Sequence, residues 1–236
     1  MSIFRFKQFA VDQTGSTMKI NTDGVLLGAV AFATNPVRIL DIGTGTGVIA
    51  LMLAQRFPGA TVAAIEMDAT AARLAGKNFI RSVFAERISA QEVALADFQP
   101  EKPFDLIVSN PPFFLHALKN RDRRKQVSRH TNVLFYSQLL ERAAMWLEEK
   151  GSLQLILPVS LAEWIEQRAT GEYGMVVQGR LAIRSFVSQP PIRRIVAIGK
   201  LPSALPALTG DLVIYEDKGI YSPAYRALLK DFFLAF

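Results

Sequence analysis

The sequence predicts an α/β fold, a mostly parallel sheet with helices on both faces. Three observations carry this. From Arg38 onward, short apolar runs of strand character alternate with longer segments of helical character, the pattern that sets parallel strands side by side with a covering helix between them. After the first of these runs, Gly43, Gly45 and Gly47 follow Asp41 at alternate positions and lead into a helix. Late in the chain, two strand-like stretches lie close enough to pair as an antiparallel hairpin at the sheet edge.

Taken in order, residues 3–20 read as two short strands around a turn. Phe4, Phe6 and Val11 alternate in part with polar residues, Gln13-Thr14-Gly15-Ser16 supplies the turn, and Thr17-Met18-Lys19-Ile20 returns. A small-residue helix then runs from Val25 to Phe32, with Thr22 or Asp23 as its N-cap. Strands are expected near 38–42, 61–66, 87–91, 104–109 and 152–157, and helices near 47–57, 69–81, 131–149 and 160–170. The late pair falls near 175–185 and 193–201, and Ser222-Pro223 opens a terminal helix that ends near Phe233.

The chain has 236 residues, which fits one domain over 1–236, with 1–34 as an N-terminal addition to a core from 35 onward. Half of the residues are hydrophobic, so a sizeable core is available, yet the longest apolar run, 24–33, is too short to span a bilayer. The first residues, Met1-Ser2-Ile3-Phe4-Arg5-Phe6-Lys7, lack a signal-peptide pattern. With no cysteine there is neither a disulfide frame nor a thiolate metal site, and two histidines argue against a histidine cluster. These features describe a cytoplasmic, soluble protein, expected to be a monomer without metal or membrane partner. A net charge of +6, from 27 Lys and Arg against 21 Asp and Glu, hints at a polyanionic partner.

The glycine stretch is the first with chemistry in it. Arg38-Ile39-Leu40 opens a buried strand, Asp41 sits near its end, and glycine is needed where the strand turns sharply and the backbone approaches a ligand. A dinucleotide fingerprint would place its third small residue at position 48, which is Val. The pattern acid-x-Gly-x-Gly-x-Gly instead resembles motif I of the Rossmann-like methyltransferases that use S-adenosylmethionine. That cofactor brings an amine, a sulfonium and a ribose, so carboxylates are wanted around it. Asp41 suits the amine side. Thr61-Val62-Ala63-Ala64-Ile65 ends in Glu66, placed to accept from ribose hydroxyls, with Met67 beside it. The competing reading is a strand–helix turn that holds no ligand.

A second corner follows the strand Asp105-Leu106-Ile107-Val108-Ser109. Asn110-Pro111-Pro112-Phe113 leaves it directly, and the two prolines force a rigid, extended exit without N–H groups of their own. The Asn110 side-chain carbonyl and the Pro111 backbone carbonyl can together accept the two hydrogens of a planar amino group, and Phe113 can stack on the ring that carries it. Such a nitrogen has its lone pair delocalised, so bonds that draw both hydrogens out of plane expose density to a sulfonium methyl. The catalytic work is alignment, without a strong base. Asn-Pro-Pro-aromatic resembles motif IV of the amino-directed methyltransferases. A plain turn after a strand is the alternative.

Immediately beyond lie Lys119, Arg121, Arg123, Arg124, Lys125 and Arg129, six cations against one acid in 119–130. Beside a catalytic corner such a loop would draw in phosphates; otherwise it is a solvated loop. Arg180, Arg184, Arg193 and Arg194 form a second basic set for the same cleft.

Together, Phe6-Lys7-Gln8-Phe9, Met18-Lys19, Thr22-Asp23-Gly24-Val25-Leu26-Leu27-Gly28, Asp41 to Gly47, Ser109 to Phe114, Arg129-His130-Thr131 and the ending Asp231 to Phe236 resemble the bacterial tRNA (adenine-N6)-methyltransferases. The resemblance spans nearly the whole chain. It implies a Rossmann-like class I fold with a mostly parallel seven-stranded sheet whose last strand is antiparallel, S-adenosylmethionine as cofactor and tRNA as partner. The product would be N6-methyladenosine 3′ of the anticodon of a valine tRNA. By the same likeness Lys19, Thr22 and Asp23 close over the cofactor, which displaces the capping reading. The sequence departs from the family in two places. The acid expected to meet the cofactor's adenine falls at Ala94, leaving Glu92 and Asp97 as candidates, and Phe113 stands where Tyr is frequent. Alternatives are methylation of a protein glutamine amide or of guanine N2, and a non-catalytic RNA-binding module.

Overall fold

The computed structural model describes residues 2–16, 19–112, 123–203 and 208–236, with the backbone alone over 123–132. Strands β1 (Ile3–Arg5) and β2 (Ala10–Asp12) form an antiparallel hairpin in which Phe4 faces Val11. Its turn is at Phe6–Phe9, not at Gln13–Ser16 as the polar residues there suggested. Phe6 and Phe9 are buried and their rings stack at 4.4 Å, so Lys7-Gln8 becomes the tip. Gln13 to Ser16 does turn, through Ser16 N–H to the Gln13 carbonyl at 3.1 Å, but Lys19 and Ile20 are not strand.

Helix α1 (Thr22–Val30) comes next, and its N-cap is Asn21 rather than Thr22 or Asp23. The Asn21 side chain accepts from Gly24 N–H at 2.8 Å, the ordinary use of a short polar side chain one residue before a helix. At the other end, Arg56 donates to the Gly28 and Ala31 carbonyls, at 3.1 and 2.5 Å. Gln154 accepts from Phe32 N–H at 3.0 Å and donates to its carbonyl at 2.7 Å.

The core begins with β3 (Arg38–Ile42), α2 (Val48–Arg56), β4 (Thr61–Glu66), α3 (Ala69–Ile80), β5 (Ile88–Glu92) and β6 (Phe104–Ser109). It continues with α4 (Arg123–Trp146), β7 (Leu147–Leu157), α5 (Val159–Glu172), β8 (Val176–Arg184) and β9 (Arg193–Gly199). Then come β10 (Asp211–Val213), a small antiparallel ribbon of β11 (Tyr215–Asp217) and β12 (Ile220–Tyr221), and α6 (Pro223–Leu229).

The main sheet has the order β10-β8-β9-β7-β6-β3-β4-β5. Strands β3 to β7 are mutually parallel, and β9 is inserted antiparallel between β7 and β8. This is the expected mixed sheet with one addition. The three-residue β10 pairs parallel to β8 and makes an eighth strand, where seven were expected. Helix α6 ends at Leu229, not near Phe233, and two further limits moved. Helix α4 starts at Arg123, not near 131, and β7 starts at Leu147, not near 152, because the polar Glu148-Glu149-Lys150 conceals a strand whose Leu147 pairs with Phe104.

Alternation along the strands feeds two cores. Ile39 and Val108 face the layer of α1, α2, α3 and α6, while Leu40, Ile42 and Ile107 face α4 and α5. Ser222 caps α6 by accepting from Tyr225 N–H at 3.1 Å, and Phe233 beyond it bridges to Phe6, closing the C-terminal end onto the N-terminal hairpin. Among the described residues no helix is long and apolar enough to cross a membrane.

Candidate active site

Because β3, β4 and β6 run parallel, their carboxyl ends share one edge. Ile42 of β3 stands opposite Ile65 of β4 on one side and Ser109 of β6 on the other. The glycine turn that begins at Gly43 therefore emerges between Glu66 and Asn110. This is where open α/β sheets bind ligands.

The turn itself is built on left-handed backbone. Gly43, Gly45 and Gly47 have φ of 72°, 56° and 85°. Gly43 and Thr44 both donate to the Ile65 carbonyl, at 2.9 and 3.1 Å, and Gly45 N–H donates to Glu66 Oε2 at 3.0 Å. Glu66 Oε1 accepts from Asp68 N–H at 3.0 Å. Each carboxylate oxygen is thus held by one backbone donor and keeps a lone pair for a further one. A Cβ on Gly43 or Gly45 would meet no heavy atom within 4 Å, so the backbone here faces open space.

Asp41 lies under this turn and is wholly buried. Its Oδ2 accepts from the Thr44 hydroxyl at 2.6 Å, while Oδ1 is buried without a partner. Burial pushes the carboxyl up to about 7, against the pull of the Thr44 hydroxyl and the Ala50 amide, and the nearby Glu66 charge adds to the rise. An unpartnered buried acceptor and a backbone cradle open to one side together fit a ligand with cationic and hydroxyl donors.

Met67 is exposed beside Glu66, and Glu92, at the end of β5, pairs with Glu66 in the sheet register. Glu92 is exposed on an edge strand. Ala94 opens a tight turn, with Asp97 and Phe98 N–H groups both donating to its carbonyl.

On the other flank, the Ser109 hydroxyl donates to the Ile42 carbonyl at 2.7 Å and ties β6 to β3 just before the corner. Asn110 is half-buried, Pro111 buried and Pro112 exposed. Helix α1 brings its first turn against this corner, with Asn110 Nδ2 3.4 Å from Asn21 Oδ1. Thr22 and Asp23 sit in that first turn, and Lys19 is exposed in the segment leading to it. Asp23 is engaged with Arg193 of β9, Nε to Oδ2 at 2.7 Å. Asp41, Gly43, Gly45, Glu66, Asn110, Thr22 and Asp23 are thus gathered at one sheet edge.

Phe113, Lys119 and Arg121 lie outside the described residues. Arg123, Arg124, Lys125 and Arg129 fall in the first turns of α4, so the basic stretch is helical from Arg123 rather than a loop throughout. The second basic set is neutralised by acids. Arg180 and Arg194 pair with Glu166, Arg194 also with Glu163, Arg184 with Asp211 and Arg193 with Asp23. Among the described residues no cluster of metal-ligating side chains is present.

Three contributors are not evident in the sequence. Asn21 has a local signal, a short polar residue before Thr22, but Thr22 and Asp23 offer the same chemistry. Thr44 stands inside the glycine run, where it reads as a spacer. Arg193 reads as one of a basic set for this cleft, but its pairing with Asp23 leaves no signal, since the two are 170 residues apart.

The chain matches the family model described as Methyltransferase small domain over residues 22–163. It is 53% identical over 233 residues to the tRNA1(Val) (adenine(37)-N6)-methyltransferase of Pedobacter heparinus, covering 99% of this chain and 98% of that protein. To the protein of the same name in Vibrio cholerae it is 39% identical over 231 residues, covering 98% and 95%. Among solved structures, P. horikoshii TYW2 in complex with MeSAdo superposes with a TM-score of 0.61 at 17% identity, over 85% of this chain and 72% of that one, a likeness of fold alone. The parallel sheet with its antiparallel insertion, the glycine turn beside the Asn-Pro-Pro corner and end-to-end identity to these relatives agree: the chain belongs to the tRNA1(Val) (adenine(37)-N6)-methyltransferase family.

Proposed function

We propose that this chain transfers a methyl group from S-adenosylmethionine to N6 of adenosine 37, beside the anticodon of a valine tRNA. The single observation that carries the reading is adjacency: Asn110-Pro111 leaves β6 next to the glycine turn that leaves β3, with Glu66 on the turn's far side. The names of the relatives give the substrate.

In this reading Gly43 and Gly45 would cradle the cofactor, Glu66 would accept from its ribose hydroxyls with Met67 and Glu92 nearby, and Asp41 would face its amine. Lys19, Thr22 and Asp23 of the 1–34 addition cover it. When bound, the cofactor supplies an electrophilic methyl: the N6–carbon bond forms as the carbon–sulfur bond breaks, leaving a neutral thioether and a proton that departs from nitrogen to solvent. The chain's own residues supply positioning. Asn110 Oδ1 and the Pro111 carbonyl accept the two amino hydrogens, and the rigid Pro111-Pro112 exit fixes where those acceptors stand. The stacking role falls to Phe113, and the phosphate contacts to Lys119, Arg121, Arg123, Arg124, Lys125 and Arg129. Anticodon-loop bases are largely unpaired, so extruding one costs less than flipping a base from a duplex. The enzyme would work as a cytoplasmic monomer.

The test is mass spectrometry of nucleosides from tRNA treated with enzyme and S-adenosylmethionine. N6-methyladenosine should rise at position 37, and Asn110→Ala should lower kcat by about 100-fold or more while S-adenosylmethionine still binds. Tight cofactor binding with no methyl transfer to any RNA would sink the reading.

A further inference from the structure

We infer that Asn21 is a positioning residue that sets which end of the Asn110 side-chain amide faces the substrate. The inference rests on the methyl-transfer reading above and adds to it a residue outside both signature stretches.

Hydrogen-bond polarity decides how both amides stand. Gly24 N–H donates to the Asn21 side chain at 2.8 Å, and only the amide oxygen can accept it, because an amide nitrogen has no free lone pair. The helix N-terminus therefore fixes the orientation of Asn21. That same oxygen stands 3.4 Å from the Asn110 side-chain nitrogen. An Asn110 turned the other way would set oxygen against oxygen, so it presents nitrogen to Asn21 and keeps its own oxygen on the opposite side. Among the described residues no group donates to that oxygen. It is left as an acceptor for an amino hydrogen.

Backbone freedom has been removed from this corner on both sides. The Ser109 hydroxyl ties the preceding residue to Ile42 at 2.7 Å, and Pro111-Pro112 stiffens the exit on the other side. Side-chain rotation of Asn110 is the freedom that remains, and Asn21 is the contact that limits it. Gly24 packs against the contact: a Cβ there would lie at ordinary contact distance, 3.5 Å, from both the Asn110 nitrogen and the Asn21 oxygen. The Asp23–Arg193 pair holds the same helix turn from its other side.

A flipped Asn110 would turn N–H groups toward the substrate's N–H groups. It would lose the acceptor that helps to expose nitrogen density, without disturbing the cofactor cradle. The signature is accordingly a fall in kcat at constant cofactor affinity.

The experiment compares wild type, Asn21→Ser and Asn21→Asp, each saturated with S-adenosylmethionine. Serine still caps α1 but is too short to reach Asn110, whereas aspartate keeps both the cap and the acceptor. Asn21→Ser should lower kcat roughly three- to tenfold, the worth of one hydrogen bond, with KM for both substrates and the melting temperature unchanged. Asn21→Asp should recover most of it. Side-chain amide resonances of Asn110, assigned by their loss in Asn110→Ala, give a readout independent of turnover. The donating proton should move upfield in Asn21→Ser and return in Asn21→Asp. Unchanged Asn110 resonances, or unchanged kcat, in Asn21→Ser would overturn the inference. Wild-type protein that methylates no tRNA overturns the functional reading instead, and the resonances still decide the amide's orientation.

Discussion

Asn78 brackets Asp12 with its side-chain amide, accepting from the Asp12 N–H at 2.9 Å and donating to the Asp12 carbonyl at 3.1 Å. The same nitrogen donates to the Thr46 carbonyl at 2.9 Å, inside the glycine turn. One buried amide on α3 thus joins the N-terminal hairpin to the turn proposed to carry the cofactor. The job needs two donors and one acceptor on one planar group, which aspartate and leucine cannot supply.

Asn78→Ala should therefore act at two places. Three backbone groups lose their partner, the Thr46 carbonyl buried and the two of Asp12 part-buried, at a cost of about 2–4 kcal/mol in stability. The glycine turn loses one of its anchors, so S-adenosylmethionine affinity should drop about tenfold, the loss expected when an outer support of a binding site is removed. Chemical denaturation and calorimetric titration measure the two separately. Loss of stability with unaltered affinity would show that the hairpin and the turn are independent.

The glycines of the turn should separate into two kinds. A Cβ on Gly47 would fall onto the ring of Phe79, which is itself buried in the core under α2. With φ of 85° added, Gly47→Ala should cost about 2–5 kcal/mol in folding. Gly45 has open space beside it, so Gly45→Ala carries only backbone strain of about 1–2 kcal/mol. Its methyl would instead project into the space proposed for the cofactor. Melting temperature should suffer more in Gly47→Ala and cofactor Kd more in Gly45→Ala; the reverse ranking would misplace the ligand.

How much of the molecule can be read from sequence depends on how local the physics of each feature is. The core strands at 38–42, 61–66 and 104–109 were legible because continuous apolar runs bounded by turn residues have few other uses. Glu66 and Asn110 were legible as strand-end residues, and parallel pairing then put both at one edge. Strand β10 was not, since three residues pair only because β8 is already there. The hairpin turn was misplaced because Phe6 and Phe9 pack on each other and leave Lys7-Gln8 outside, whereas Gln13-Thr14-Gly15-Ser16 carries the stronger turn composition. Pairings such as Arg193 with Asp23, or Gln154 with the Phe32 backbone, span the chain and leave no trace in either neighbourhood.

The Asp23–Arg193 pair should prove a brace for α1 rather than a solvated contact. Both side chains are mostly buried, at 17% and 30% exposure, and the 2.7 Å contact is a short charge-assisted bond. A double-mutant cycle with Asp23→Asn and Arg193→Met should give a coupling energy of about 1–2 kcal/mol, above the range usual for exposed pairs. Arg193→Met should also weaken cofactor binding, because the first turn of α1 would no longer be held over the site. A coupling near zero would make Asp23 free to serve a ligand directly.

Asp41 should give the site a pH signature whose sign is fixed by its burial. The carboxyl stands at about 7 in the folded chain against an ordinary 3.8, raised chiefly by desolvation. Between those values the folded state holds one proton more than the unfolded state. Stability of the ligand-free protein therefore falls as pH rises across this window, by up to about 1.4 kcal/mol per unit, and levels off above it. A cationic cofactor favours the ionised form, so its affinity should rise as pH climbs from 6 to 8, with proton release on binding at pH 6 and almost none at pH 8.5. Titration calorimetry in buffers of different ionisation enthalpy reads the proton directly. Asp41→Asn keeps the shape and the Thr44 contact but has no charge to gain; it should flatten both profiles, stabilise the free protein at pH 8 and weaken cofactor binding there. If wild-type affinity is level from pH 6 to 8, the buried carboxyl holds the turn from beneath without sensing the ligand's charge, and the amine must find its partner elsewhere on the sheet edge.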